Sequence, residues 1–176
     1  VIPQAFYNPG NETMSISDTV TVNLRSSSFP YNIVDVAKAV VNKTSFISKF
    51  YFRNAPSGNY YLDIRHRNSI ETWSASHVTL TRNVNTNYDL TSDANKSYGS
   101  NLILVDNSPV RFAIYSGDVN QDGIVDASDA LMVDNDANIF ATGYVVTDVN
   151  GDYSVDATDA LIVDNNSTNF VSKITP

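Results

Sequence analysis

The sequence predicts a mainly β N-terminal module, an antiparallel sandwich over residues 1–115, followed by a small all-α unit of two loop–helix repeats over residues 116–176. Three observations carry this expectation. Short runs with period-two alternation, separated by turn residues, fill the chain to about residue 115. Beyond it lies a repeat with a period of thirty residues, and the charge changes abruptly between the two parts. Residues 1–116 carry ten Lys/Arg against eight Asp/Glu, whereas residues 117–176 carry one cation, Lys173, against eleven Asp. The whole net charge of −8 therefore originates in the last third.

With 176 residues, 42% of them hydrophobic, the chain can bury a core of its own. No apolar run is long enough to cross a bilayer, so no membrane insertion is expected. The N-terminus lacks the charged-then-apolar pattern of a signal peptide, and a start at Val1 suits a piece cut from a longer precursor. An acidic chain without basic patches is not expected to bind nucleic acid. The absence of Cys excludes disulfides, thiolate zinc sites and iron–sulfur clusters. His66 and His77 are too few for a histidine-rich metal site and read as structural.

The elements follow in order. Thr19–Leu24 alternates as a half-buried strand should. Asp35–Lys43 reads as strand because of its Val content. Phe46, Ser48, Phe50 and Phe52 share one side of a further expected strand, with Ile47, Lys49 and Tyr51 opposite. Residues 54–59 (Asn-Ala-Pro-Ser-Gly-Asn) form a turn, because Pro presets φ and Gly permits a positive one. Tyr60–His66, His77–Arg82 and Asn101–Val105 complete the strands. In the last third, helices are expected at Ser128–Ala137 and Thr158–Ser167.

Across the thirty-residue repeat about fourteen positions are identical, all of them between Asp118–Phe140 and Asp148–Phe170. Asp118, Asn120, Asp122, Asp126 and Asp129 occupy positions 1, 3, 5, 9 and 12 of a twelve-residue loop. Ile124 offers its carbonyl at position 7, and Gly123 makes the turn at position 6. Asp148, Asn150, Asp152, Ser154 (by its carbonyl), Asp156 and Asp159 repeat the pattern. Oxygen ligands on alternate residues wrap a hard cation, and the lack of sulfur or imidazole favours calcium over zinc or copper. Two calcium ions are expected, and no organic cofactor. Asp126 with Asp129 also suits a helix N-cap, a role compatible with metal ligation. Tyr153 replaces Gly at position 6 of the second loop, where a positive φ is strained, so that site is expected to be the weaker.

Neither loop is preceded by a helical pattern, and each is followed by one helix. Loop-then-helix, twice, over about residues 117–171 closely resembles a dockerin, the module that clips cellulosomal proteins onto cohesins. The phrase from Phe50 to Leu62 resembles a hairpin of carboxypeptidase-regulatory-like, transthyretin-type sandwiches, placing the first module among Ig-like or transthyretin-like folds. A sandwich directly before a dockerin resembles the X module–dockerin pairs of scaffold proteins. The resemblance implies a cohesin-like protein partner gripped by Ala127, Ser128, Asp134 and Asn135 and, in the second repeat, by Ala157, Thr158, Asp164 and Asn165. It also implies two binding orientations related by a half-turn, a secreted or cell-surface bacterial setting, and contact with polysaccharide only through the parent protein.

No catalytic residues are expected, because nearly every clustered Asp is committed to a loop. Two alternatives stand beside docking. The repeat could be a calcium-stabilised clasp packed on the sandwich, which would cover the helix faces. The sandwich could instead bind glycan through Trp73, Tyr31 and Tyr88.

Overall fold

The computed structural model describes residues 1–176. A short hairpin, β1 (Tyr7–Asn8) and β2 (Thr13–Met14), precedes a five-stranded antiparallel sheet of β3 (Asp18–Ser26), β4 (Ile33–Val41), β5 (Gly58–His66), β6 (Ser69–Trp73) and β7 (Val78–Leu80). The order is β4-β3-β5-β6. β7 pairs with the first residues of β5, so β6 and β7 share one edge of that strand end to end. A second ladder, β8 (Ile103–Asn107) with β9 (Val110–Ala113), leads to helices α1 (Ala127–Asn138) and α2 (Ala157–Thr168).

Alternation in β3 turns Val20 and Val22 toward a core closed by Phe6, Tyr7 and Met14 from the first hairpin and by Leu102, Ala113 and Ile114 around the β8–β9 ladder. The β part is thus layered, as the alternation predicts. Both helices form where expected, each one residue longer at either end.

Residues 46–52 do not form the expected strand. Phe46 has φ 59°, which breaks extended backbone. The segment is held beside β4 by side chains instead: the Ser48 hydroxyl donates to Val40 O (2.8 Å), and the Asp35 carboxylate accepts from the amides of Asn54 and Ala55. Its alternation still has physical content, since Phe46, Phe50 and Phe52 pack on the core while Ile47 and Tyr51 are exposed. The hairpin read from Phe50 to Leu62 therefore has no ladder, and β5 pairs with β3, β6 and β7.

β6 carries no sequence signal because all five of its residues are buried. One side of it belongs to the sandwich and the other to the repeats. Ile70, fully buried, packs with Val119, Val125, Val133, Val149, Val155, Val163 and Val171 in a second core. Seven of those eight residues come from the repeats, as three matched pairs and Val171, whose counterpart is Ala141, and the sandwich supplies the eighth. Replacing Ile70 with Ala removes three carbons from a fully packed site and should destabilise the protein by about 2–4 kcal/mol. Thermal or urea unfolding checks this, and the loss should appear in the helical signal of the repeats as well as in the sheet.

Candidate functional site

Each loop folds as a chain of short side-chain-to-backbone hydrogen bonds dictated by its Asp and Asn spacing. In loop 1, Asn120 Oδ1 accepts from Asp122 N (2.8 Å) and Asp122 Oδ1 from Ile124 N (2.9 Å). Loop 2 repeats both contacts with Asn150, Asp152 and Ser154. Asp126 and Asp156 are the helix N-caps, each completed as a capping box by the Asp three residues on. Asp129 and Asp159, both fully buried, also accept from the amides of residues 119–120 and 149–150. The loop tails cross-pair. Val125 N donates to Val171 O after α2, and Val155 N donates to Ala141 O after α1 (2.8 and 2.9 Å). Each repeat thereby completes the other.

The predicted ligands are gathered in sequence order along both loops, but no three carboxylates converge on a common point. The fit to a cation rests on other features. Asp118 is buried, its Oδ1 has no hydrogen-bond partner, and the donor set is all oxygen. Burial, followed by the nearby charges of Asp129 and Asp122, pushes the Asp118 carboxyl up to about 6. Burial also raises Asp148 and Asp159. Loops that crowd and bury carboxylates in this way are suited to a hard cation.

Both loops use two left-handed positions. In loop 1 these are Gln121 (φ 63°) and Gly123 (φ 95°); in loop 2 they are Gly151 (φ 74°) and Tyr153 (φ 70°). The positive φ expected at Tyr153 is present, yet each loop contains one glycine and one strained residue, so strain alone does not separate them. Gly151 is required for a second reason. A Cβ there would lie 2.8 Å from Ser15 Oγ and 3.0 Å from Phe6 of the sandwich.

The turn between β5 and β6 fits between the two loop entrances. Asn68 O accepts from Gly117 N (2.7 Å), while Asn68 Nδ2 donates to Val146 O and Asp148 O (3.1 and 2.9 Å). Arg67 bonds to Asp18 (3.0 Å), to the carbonyl of Val145 and to Asp148 Oδ2 (3.3 Å), between the rings of Phe6 and Tyr144. Asp18 is further bonded by Tyr144 and by His66, whose other ring nitrogen meets Ser69 Oγ at 2.9 Å. Burial opposes the charge of Asp18, but His66, Tyr144 and Arg67 together hold its carboxyl well below the usual range. Burial keeps His66 neutral against the pull of Asp18. The Ser69–His66–Asp18 chain has the order of a nucleophilic triad, but all three residues are sealed from solvent and serve to orient Arg67. None of this seam was read from the sequence; a conspicuous run, Arg65-His66-Arg67-Asn68, was its available signal.

Ala127, Ser128, Asp134 and Asn135, like Ala157, Thr158, Asp164 and Asn165, all lie on exposed surface. Beside them, and missed by the sequence reading, stand matched apolar residues: Leu131 and Leu161 (61% and 59% exposed) and Phe140 and Phe170 (85% and 87%). Their signal was available, since each aligns with its counterpart across the repeat. Trp73 is buried under Arg25 and donates to Glu71, and the Tyr88 hydroxyl is bonded to Ala75 and Lys96. Tyr31 meets Trp73 edge-on, but the three rings do not share an open strip.

A pair of calcium-type loops, each followed by one helix and cross-paired into a single unit beside a β-sheet module, defines the class. The family model of the dockerin type I domain matches residues 116–167. Two solved structures are similar to the chain: an N-terminal-interface mutant and a C-terminal-interface mutant of a type II cohesin–X–dockerin complex from Acetivibrio cellulolyticus. Each is 18% identical, over 86% of this chain and 84% of that one, with TM-scores of 0.47 and 0.49. No curated protein sequence matches the chain.

In chelator, the raised Asp118 disfavours the folded state while it is ionised. Because its folded value lies above the unfolded one, lowering pH from about 7 to about 5 protonates it first in the folded state, a stabilising contribution that opposes the loss from buried neutral His66, whose imidazole protonates first in the unfolded chain. Asp118→Asn removes only the Asp118 contribution, so the thermal midpoint of the variant relative to the wild type should be highest near pH 7 and fall toward pH 5, which paired pH series of melting curves measure directly.

Proposed function

We propose that this chain is a non-catalytic, calcium-dependent docking module pair. The repeat region binds a cohesin-like partner, and the sandwich holds it on a rigid base, with the module boundary near residue 116. The observation that carries this reading is the exposure of both helix faces. The sandwich contacts the loop entrances and the valine core, leaving Ala127, Ser128, Leu131, Asp134 and Asn135 open together with their counterparts in α2. A clasp whose task is to seal the terminus onto the sandwich would cover those faces. The dockerin match supports the same conclusion.

Two calcium ions are assigned, one per loop. Asp118, Asn120, Asp122, Asp126 and Asp129 with the carbonyl of Ile124 would hold the first. Asp148, Asn150, Asp152, Asp156 and Asp159 with the carbonyl of Ser154 would hold the second. Bound calcium would neutralise the crowded carboxylates and tie each loop to its helix, so that metal binding stabilises the folded repeat. The partner face combines small residues at the helix starts, the leucine and phenylalanine pairs, and the Asp-Asn pairs Asp134–Asn135 and Asp164–Asn165. An extracellular or cell-surface bacterial setting, as part of a larger secreted protein, follows from the same reading.

Because the two faces match at every named position but one, Ser128 against Thr158, which keeps the hydroxyl, either can lead in binding. Calorimetry or pull-down against a panel of cohesin domains should therefore show binding in calcium and none after chelation. Leu131→Arg or Leu161→Arg alone should weaken binding by less than about fivefold, while the double variant should abolish it; this tolerance reflects a second, equivalent face. Absence of any calcium-dependent partner from a broad panel counts against docking.

A further inference from the structure

The two repeats are nearly identical in sequence, but the sandwich treats their loops differently. Loop 2 receives a cation from outside the repeat. Arg67, at the β5–β6 turn, places Nη2 3.3 Å from Asp148 Oδ2 at position 1, with only 9% of its side chain exposed. Asp148 is otherwise satisfied by its own loop: Oδ1 accepts from Gly151 N and Asp152 N (2.8 and 3.1 Å), and Oδ2 from Tyr153 N (3.3 Å). In loop 1 the equivalent Asp118 has no cation beside it, and its Oδ1 has no partner. The sandwich contacts there are neutral: Gly117 N donates to Asn68 O (2.7 Å) and Gln121 Nε2 donates to Ser69 O (3.2 Å). Lys173 lies along Gly123 but directs its ammonium to Glu71 (3.6 Å).

We propose that Arg67 is a resident counter-cation for loop 2, holding that loop in its folded form before metal enters and making it the weaker and later-filled of the two calcium sites. The inference rests on the calcium reading above and concerns the inequality of the sites. Two effects of Arg67 oppose each other. Its charge repels an arriving divalent ion and occupies an oxygen of the position-1 ligand, whereas its contacts preorganise the loop. Charge prevails, because preorganisation does not depend on Arg67 alone. Asn68 still anchors Asp148 O, Ser15 still donates to Asn150 O (2.6 Å), and Val149 and Val155 remain in the core. Backbone strain does not supply the inequality, since each loop holds one non-glycine residue in the left-handed region.

The test is a calcium chloride titration of the chelated full chain by calorimetry. Asp122→Asn with Asp129→Asn disables loop 1, and the matching pair Asp152→Asn with Asp159→Asn disables loop 2. The site left in the loop-1-disabled protein should bind at least fivefold more weakly than the site left in its counterpart. Adding Arg67→Gln should tighten that weaker site at least fivefold and leave the other within twofold, while Arg67→Lys, which keeps the charge, should leave both within twofold. A second measurement needs no change at Arg67. Hydrogen exchange of the wild-type chain in chelator should show the amides of Val149, Gly151 and Tyr153 more protected than those of Val119, Gln121 and Gly123. Equal affinities, an unmoved weaker site in Arg67→Gln, or equal protection of the loops would overturn the proposal. Absence of calcium heat from the wild-type chain would instead overturn the calcium reading on which it rests.

Discussion

Everything distinctive about this molecule depends on one buried turn. Arg67 and Asn68, at the end of the β5–β6 hairpin, sit between the entrances of the two loops and satisfy groups on both sides. Asn68 contributes neutral hydrogen bonds, and Arg67 contributes charge. A guanidinium removed from water needs carboxylates around it, and Asp18 and Asp148 provide them from opposite modules. Deleting one partner of such a group typically costs about 3–5 kcal/mol, because the remaining charge stays buried. Ile70, two residues beyond Asn68, extends the same wedge into the valine core. The sandwich and the repeats are therefore joined by a shared interior as well as by a connecting peptide.

This junction breaks the twofold character of the repeat. Within the repeats the symmetry is close: capping boxes, Asx contacts and cross-paired tails recur with hydrogen-bond distances that agree within about 0.2 Å. The sandwich presses Phe6 and Ser15 onto one loop only. That contact explains why loop 2 has Gly151 where loop 1 has Gln121. The glycine lost at position 6 of loop 2 and the glycine gained at position 4 thus have separate causes, one of them lying in the other module. The outer helix faces, which touch nothing, remain alike.

The turns within the loops were legible because their geometry is local. Asp and Asn at alternate positions bond the amides two residues on, so the turns follow from short-range spacing, while the bonds that close each loop come from the other repeat and from the sandwich. The helices were legible for the same reason, from the N-caps Asp126 and Asp156. Legibility failed where burial was two-sided or side chains replaced a ladder. β6 shows no alternation because both its sides are interior. Residues 46–52 alternate correctly and still form no strand, since Asp35 and Ser48 supply the bonds that a neighbouring strand would. His66 read as an isolated structural residue, and its use in orienting Arg67 became visible only when Asp18, distant in sequence, was brought beside it.

The sequence by itself determined a layered β module, two oxygen-rich loops each leading into a capped helix, and the confinement of the excess negative charge to those repeats. All of these follow from periodicity and short-range hydrogen bonding. Tertiary structure decided which loop receives a cation, which faces stay open, and that Ile70 of the sandwich belongs to the core of the repeats. Those outcomes depend on contacts between residues eighty or more positions apart, such as Arg67 with Asp148 and Ile70 with Val171. The charge count at residue 117 marks a change of composition. The packing shows that the neutralising group for one of the loops lies on the other side of that line.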